Sequence, residues 1–233
     1  MLNYLINQPA GIGDIIFCQK IGKQYALQGP TYWPVAKEIS YIKDYIIFSG
    51  FEEPKLESKA VVYELWGERK EGCNTVLINL CIADRYHKGS VMEAKYFYVA
   101  DSFHDWSEHV TFVRNTKKEQ ELYNKLNPNN EEYVLVSKYI GTPPGHREIP
   151  IKINTDKKII EVSLIDGFNP FDWCLLLENA SEIHMVDTCF NYIMELINIK
   201  TKKLHLYSRF YPNTNFSHIE NLFKLPWEYH THI

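Results

Sequence analysis

The sequence predicts an α/β fold in which parallel strands alternate with helices, and three observations carry that prediction. The opening run Leu2–Asn7 is short and apolar, as in a buried strand, and helical spacing follows over Ile15–Leu27 after a glycine-rich loop. In the second half, short apolar runs alternate with helical patterns over short connections, which indicates a parallel sheet covered by helices on both faces. Between the halves, Asn127–Asn130 places four turn-forming residues in succession.

The first half contains several further elements. Gly29 and Pro30 end the first helix. Further strands are predicted at Thr31–Val35, Ala60–Leu65 and Val76–Cys81, with a helix at Ala36–Phe48 and a charged turn at Trp66–Asn74. Residues 90–112 are rich in aromatic side chains and fit no single element type, and Lys95, Tyr96 and Trp106 are compatible with either an acceptor wall or the core. Thr116–Leu126 has the pattern of a polar helix, with Thr116 as its N-cap and Glu119 completing a capping box.

The second half repeats the alternation more regularly. Strands are predicted at Tyr133–Ser137, Ile159–Leu164, Ile183–Val186 and Leu204–Tyr207, helices at Phe171–Glu178 and Cys189–Ile197, and a loop at Lys138–Pro150. These elements predict two small Rossmann-like domains that face each other across a cleft. We place the N-terminal domain at residues 1–128 and the C-terminal domain at residues 129–233.

The composition argues against several classes of partner and site. The chain has 233 residues with 25 Lys and Arg against 29 Asp and Glu, a net charge of −4, so no basic field points to a nucleic acid. Its five cysteines include no CxxC pair, which favours reduced thiols over a disulfide framework or a zinc knuckle. No apolar run approaches the roughly 20 residues of a transmembrane helix, and no leader pattern opens the chain. We therefore expect a soluble, cytoplasmic protein.

The loop after the first strand is the first candidate site. Gly11 and Gly13 permit a tight turn and a close approach of ligand to backbone, and the following helix start offers free N–H groups. A dinucleotide fingerprint needs a third glycine where this chain has Ile16, so the loop does not favour NAD. Asp14 is placed to accept a proton from a bound hydroxyl. An aspartate at this position is equally typical of a helix N-cap.

The segment from Asp187 to Tyr192 is the second candidate. Asp187 and Thr188 open a helix directly after a strand, so the helix start forms an anion site at the carboxyl end of that strand. A nucleotide diphosphate is the guest that this arrangement suggests. Simple helix capping is the more common meaning of such a motif.

The third candidate site consists of two cations that follow the strand Tyr133–Ser137. Lys138 ends a strand and Arg147 lies in the loop beyond it, so either can neutralise a departing phosphate, although most surface cations are merely solvated.

The histidines do not form a set of metal ligands. His104 and His109 are five residues apart without a carboxylate at helical spacing, and His230 lies in a terminal tail. We assign no metal site.

Taken together, these segments resemble glycosyltransferases of the two-Rossmann-domain (GT-B) architecture, and among them the lipopolysaccharide heptosyltransferase group. That family has an N-terminal Gly-x-Gly-Asp or Leu-Gly-Asp loop whose aspartate is the proposed base, and Gly11–Asp14 matches this loop. Its C-terminal half carries a strand followed by Asp-Thr-Gly-x-x-His, and Asn179–Thr188 follows that layout. The chain departs from the family at Cys189, where the family has glycine, and at Tyr192, where it has histidine.

The resemblance implies inverting, metal-independent transfer of a hexosyl- or heptosyl-type sugar from a nucleotide-diphosphate donor to a hydroxyl of a glycan or other acceptor. The nucleotide-sugar is a co-substrate, and no further cofactor is implied. Asp14 would deprotonate the acceptor. The candidate donor-binding residues are Gly11, Gly13, Lys138, Arg147, Asp187, Thr188 and Asn191, with Asp166 as a possible ribose contact.

Two other functions stay open at this level. The departures at Cys189 and Tyr192 are compatible with a non-catalytic nucleotide- or sugar-binding protein of degenerate transferase fold. A nicotinamide-dependent enzyme is disfavoured by Ile16.

Overall fold

The computed structural model describes residues 2–52, 74–86, 90–141, 146–210, 216–217, 219 and 221–230, without the side chains of residues 84–86. The chain divides into two compact units, one of Met1–Val113 with Ser217–Leu222 and one of Arg114–Phe216 with Phe223–Ile233. The division falls before Thr116–Leu126, whereas the boundary predicted at residue 128 lies after it. Each unit contains one parallel sheet, which confirms the predicted α/β class.

The described strands of the first unit form a sheet of order β3-β2-β1-β4, and all of its neighbours are parallel. The strands are β1 (Asn3–Asn7), β2 (Thr31–Pro34), β3 (Phe51–Glu52) and β4 (Thr75–Asn79). The predicted strand Ala60–Leu65 and most of the predicted turn Trp66–Asn74 lie outside the described residues. Successive side chains of β1 are buried instead of alternating between buried and exposed, as expected for a strand covered on both faces.

Helices of the first unit differ from the sequence prediction in two places. The predicted helix Ile15–Leu27 is divided into α1 (Ile12–Phe17) and α2 (Gln19–Ala26), because the backbone of Cys18 leaves helical geometry with ψ 7°. Lys37–Asp44 forms a 3-10 helix, which is shorter than the α-helix predicted over Ala36–Phe48. The β-branched and aromatic residues of this segment disfavour an α-helix.

The aromatic segment at residues 90–112 contributes large side chains to the core of the first unit. It contains α3 (Val91–Tyr98), which begins at a capping box of Ser90 and Glu93, and a 3-10 helix at Trp106–His109. Tyr96 and Trp106 are at most 1% exposed and contact Phe17. These rings therefore pack the interior.

The strands of the second unit form an all-parallel sheet of order β11-β10-β9-β5-β8. They are β5 (Tyr133–Ser137), β8 (Lys158–Glu161), β9 (Glu182–Val186), β10 (Leu204–Tyr207) and β11 (Glu228–His230). Four of these match predicted strands, and β11 was not predicted. The predicted loop Lys138–Pro150 contains a short antiparallel pair, β6 (Tyr139–Ile140) and β7 (Arg147–Glu148).

The helices of the second unit are α4 (Thr116–Leu126), α5 (Cys174–Asn179) and α6 (Cys189–Met194), with a 3-10 helix at Pro170–Trp173 before α5. The N-cap of α4 is Asn115, whose side chain accepts from the Lys118 amide at 3.2 Å, so the predicted capping box of Thr116 and Glu119 is wrong. Glu119 is instead buried and paired with Arg114. Within the described residues, no helix combines the length and apolarity needed to cross a membrane.

Candidate functional site

The candidate site of the first unit lies where β1 and β4 end. From β1 the chain adds β2 and then β3 on one side of the sheet, and β4 lies on the other side of β1. Ligands of open parallel sheets bind at such points, where the strand order reverses. Asp14 follows β1, in the first turn of α1, and Lys95 follows β4, on α3. The two side chains meet, with Lys95 Nζ 3.1 Å from Asp14 Oδ1.

Lys95 is the buried member of this ion pair. Its side chain is 3% exposed, against 33% for Asp14. The ammonium also donates to Gln8 Oε1 at 2.6 Å and to the Leu80 carbonyl oxygen at 3.3 Å. Burial lowers the pKa of Lys95, but the neighbouring Cys18 and Asp14 raise it by more, so the net pKa lies above its usual value. Lys95 therefore remains charged and fixes a carboxylate that is still open to solvent.

The glycines of the loop allow Asp14 to take its position. Gly11 is the N-cap of α1 with φ +83°, and a Cβ at this position would overlap Asp14 Oδ2. Glycine is therefore required both by the backbone and by the carboxylate folded back over it. Gly13 is buried in the same turn. Because Gly11 occupies the cap position, the N-cap alternative for Asp14 is wrong.

In the second unit, a second ion pair lies at the corresponding edge of the sheet. The chain order across this sheet is 2-1-3-4-5, which places the switch point between β5 and β9. Asp187 follows β9 and is 3% exposed. Arg209 follows β10, and its Nε lies 3.5 Å from Asp187 Oδ2. The Arg209 side chain is 41% exposed, and its carbonyl oxygen accepts from the Arg147 guanidinium.

Lys138 directly follows β5, and two carboxylates lie near its charge. Its Nζ lies 3.1 Å from Glu161 Oε2 and 3.9 Å from Glu148 Oε1. A phosphate would compete with both carboxylates for this ammonium group. Asp166 is exposed in the turn after β8, and no described hydrogen bond or ion pair connects it with Arg209 or Asp187.

A hydrogen bond within the helix already uses one of the backbone amides at the start of α6. Asn191 Oδ1 accepts from the Thr188 amide at 2.9 Å, and Asn191 is fully buried. The Thr188 hydroxyl and the Asn191 amide nitrogen have no partner among the described residues. Burial raises the pKa of the Cys189 thiol to about 12. Tyr192 is 5% exposed and packs edge-on against Phe223, whereas Cys189 is partly exposed.

Sequence reasoning missed Arg209 and the pairing of Lys95 with Asp14. Arg209 follows the correctly predicted strand Leu204–Tyr207 by two positions, so its place at the carboxyl edge was a readable signal. Lys95 was named only as part of an acceptor wall or the core, because its partner Asp14 lies far away in the sequence. No protein-family model, curated protein or solved structure matches the chain.

Proposed function

We propose that the chain is a glycosyltransferase that moves a sugar from a nucleotide-diphosphate donor to a hydroxyl acceptor. The observation that supports this most is Asp14, a partly exposed carboxylate that a buried lysine fixes beside the end of β1. A carboxylate held in a fixed orientation at a sheet switch point is suited to accept a proton from a bound hydroxyl. In this proposal the units are the two halves of a GT-B transferase, the first for the acceptor and the second for the nucleotide.

The chemical step is a single displacement. Asp14 takes the proton of the acceptor hydroxyl, and that oxygen attacks the anomeric carbon of the donor sugar. The bond between this carbon and the diphosphate oxygen breaks, its electron pair leaves with the nucleoside diphosphate, and the configuration inverts. A positioned base contributes about 10²–10⁴-fold to such a step.

Arg209 and Arg147 are the groups that we assign to the departing diphosphate. Guanidinium groups bind phosphate in bidentate geometry, and charge-assisted bonds of this kind are about twice as strong as neutral ones. Because the Arg209 side chain is partly exposed, some of its N–H donors are available to a ligand. Lys138 has a secondary role, because Glu161 and Glu148 share its charge.

The test is release of nucleoside diphosphate from a panel of nucleotide-sugars, with Asp14→Asn beside the wild type. We expect Asp14→Asn to lower transfer about 10²–10⁴-fold while nucleoside diphosphate affinity stays within about twofold. Asp44→Asn, at another exposed aspartate of the first unit, is the matched control and should leave transfer unchanged. Full activity of Asp14→Asn would remove Asp14 as the base.

A binding protein without turnover is the second candidate, and the burial of Tyr192 favours it. The family motif that the chain resembles has a histidine at this position, and here a ring packed against Phe223 replaces it. On this reading, a nucleoside diphosphate raises the melting temperature of the wild type, yet no donor of the panel is turned over. Transfer by the wild type would exclude this candidate.

A further inference from the structure

Three histidines from neighbouring strands meet on one face of the sheet of the second unit. His184 lies on β9, His205 on β10 and His230 on β11. His205 is directly paired in register with His184 on one side and with Glu228 on the other. Side chains two residues apart on a strand point to the same face, so Glu182 joins His184 there, as His230 joins Glu228.

The distances among these side chains are close to those between the ligand atoms of a metal site. His205 Nδ1 lies 2.9 Å from His230 Nε2 and 3.3 Å from Glu228 Oε2, and His230 Nε2 lies 3.7 Å from Glu228 Oε1. Tetrahedral zinc with bonds of about 2.0–2.2 Å requires ligand atoms about 3.3 Å apart. The ligand atoms of His205, Glu228 and His230 all lie within 4.8 Å of one another.

The other ring nitrogen of His205 has the partner that a metal-bound histidine typically has. Its Nε2 lies 3.5 Å from Glu182 Oε1, and the same oxygen lies 2.8 Å from His184 Nε2. A carboxylate behind a ligating histidine fixes the tautomer and strengthens the ligand. The rings are also held by stacking, His184 on His205 at 4.3 Å and Tyr207 on His230 at 4.6 Å.

We propose that His205 Nδ1, His230 Nε2 and Glu228 bind one divalent transition-metal ion of the zinc class, with Glu182 as the carboxylate behind His205. Imidazole and carboxylate are the ligands that zinc and its neighbours accept. The Glu228 side chain is 66% exposed, so the ion can enter from solvent and water completes its coordination. The site lies within the second unit and is independent of glycosyl transfer. It replaces the sequence-based expectation of no metal site.

The test measures binding of Zn²⁺ and Co²⁺ to tag-free, full-length protein by chelator competition and by the absorption bands of bound Co²⁺. We expect one ion per chain for the wild type. Glu228→Gln removes a ligand from an exposed position with little risk to folding, and we expect its affinity to fall more than about 100-fold. Glu182→Gln should cost about 10–100-fold, the range for an outer partner. His109→Gln, at a half-exposed histidine of the first unit, is the control and should bind as the wild type does.

Each outcome decides the proposal. Absence of stoichiometric binding by the wild type would overturn it, because the histidines would then form only a hydrogen-bonded network. Equal affinity of the wild type and Glu228→Gln would overturn it as well, since the ion would be held elsewhere. A loss in His184→Gln that exceeds the loss in Glu228→Gln would move the ion to the neighbouring group of Glu182, His184 and His205 and refute the ligand set proposed here.

Discussion

The two sheets carry ion pairs at equivalent edges, but with the buried and exposed partners exchanged. In the first unit the cation is buried, since the side chain of Lys95 is 3% exposed and that of Asp14 is 33% exposed. In the second unit the anion is buried, since the side chain of Asp187 is 4% exposed and that of Arg209 is 41% exposed. The first edge thus presents a carboxylate to solvent, and the second presents a guanidinium.

In each ion pair, the buried partner determines which charge is presented to solvent at the edge of the sheet. Burial of one charge is tolerated only when an opposite charge and hydrogen bonds compensate it. Lys95 receives that compensation from Asp14, Gln8 and Leu80. The exposed member of each pair then becomes the group available to a ligand.

The largest effect on this comparison should follow from removing the buried cation. Lys95→Met deprives Gln8 and Leu80 of their donor and leaves Asp14 without its partner. Breaking a fully buried pair costs about 3–5 kcal/mol, and the partial exposure of Asp14 reduces this to about 2–3 kcal/mol. Urea unfolding measures the change.

The exposed pair of Lys157 and Glu132 is the control for Lys95→Met. Their Nζ and Oε1 lie 2.6 Å apart, yet the Glu132 side chain is 65% exposed. Lys157→Met should therefore leave the free energy of unfolding nearly unchanged, because exposed ion pairs contribute little to stability. Equal losses for the two variants would show that burial of Lys95 does not contribute to stability.

A smaller effect is expected from removing the exposed cation of the second unit. Arg209→Met should weaken binding of a nucleoside diphosphate by about 1.5–3 kcal/mol, or roughly 10–100-fold, because a charge-assisted hydrogen bond to phosphate is lost. Isothermal titration of the wild type and the variant checks this. Lys138→Met should have a smaller effect, since Glu161 and Glu148 already hold that charge. The reverse order of the two losses would move the phosphate to the end of β5.

Apolar periodicity predicted the strands, while the partners at their ends depended on tertiary packing. The predicted strands at Tyr133–Ser137 and Leu204–Tyr207 agree with β5 and β10 residue by residue, because buried parallel strands are continuous apolar runs. The strand β11 was missed because Glu228–His230 is short and polar. Its pairing partner His205 lies outside any local sequence window.

The candidate sites show the same limit. Asp14 and Asp187 were predicted from glycine and helix-start patterns, which are local signals. The contact of Lys95 with Asp14 was not predicted, because only the crossing from β1 to β4 brings the two residues together. The histidines on β9, β10 and β11 are likewise joined only by strand order, which the sequence pattern does not specify.

Two glycines with the same positive φ allow the effect of a methyl group on Asp14 to be separated from the effect of backbone strain. Gly11 and Gly167 both have φ +83°, but a Cβ at Gly11 would overlap Asp14 Oδ2, whereas a Cβ at Gly167 has no atom within 4 Å. Each change to alanine should cost about 1–2 kcal/mol for left-handed backbone. Only Gly11→Ala should also displace the carboxylate from Lys95.

The displacement is measured by a double-mutant cycle with Lys95→Met, read by urea unfolding. We expect Gly11→Ala and Lys95→Met to be non-additive by about 0.5–1 kcal/mol, because both disrupt the same ion pair, while Gly167→Ala adds to Lys95→Met independently. Additive behaviour of Gly11→Ala would mean that the carboxylate keeps its partner despite the new methyl group. The glycine would then serve only the backbone turn, and the position of Asp14 would be determined by Lys95 alone.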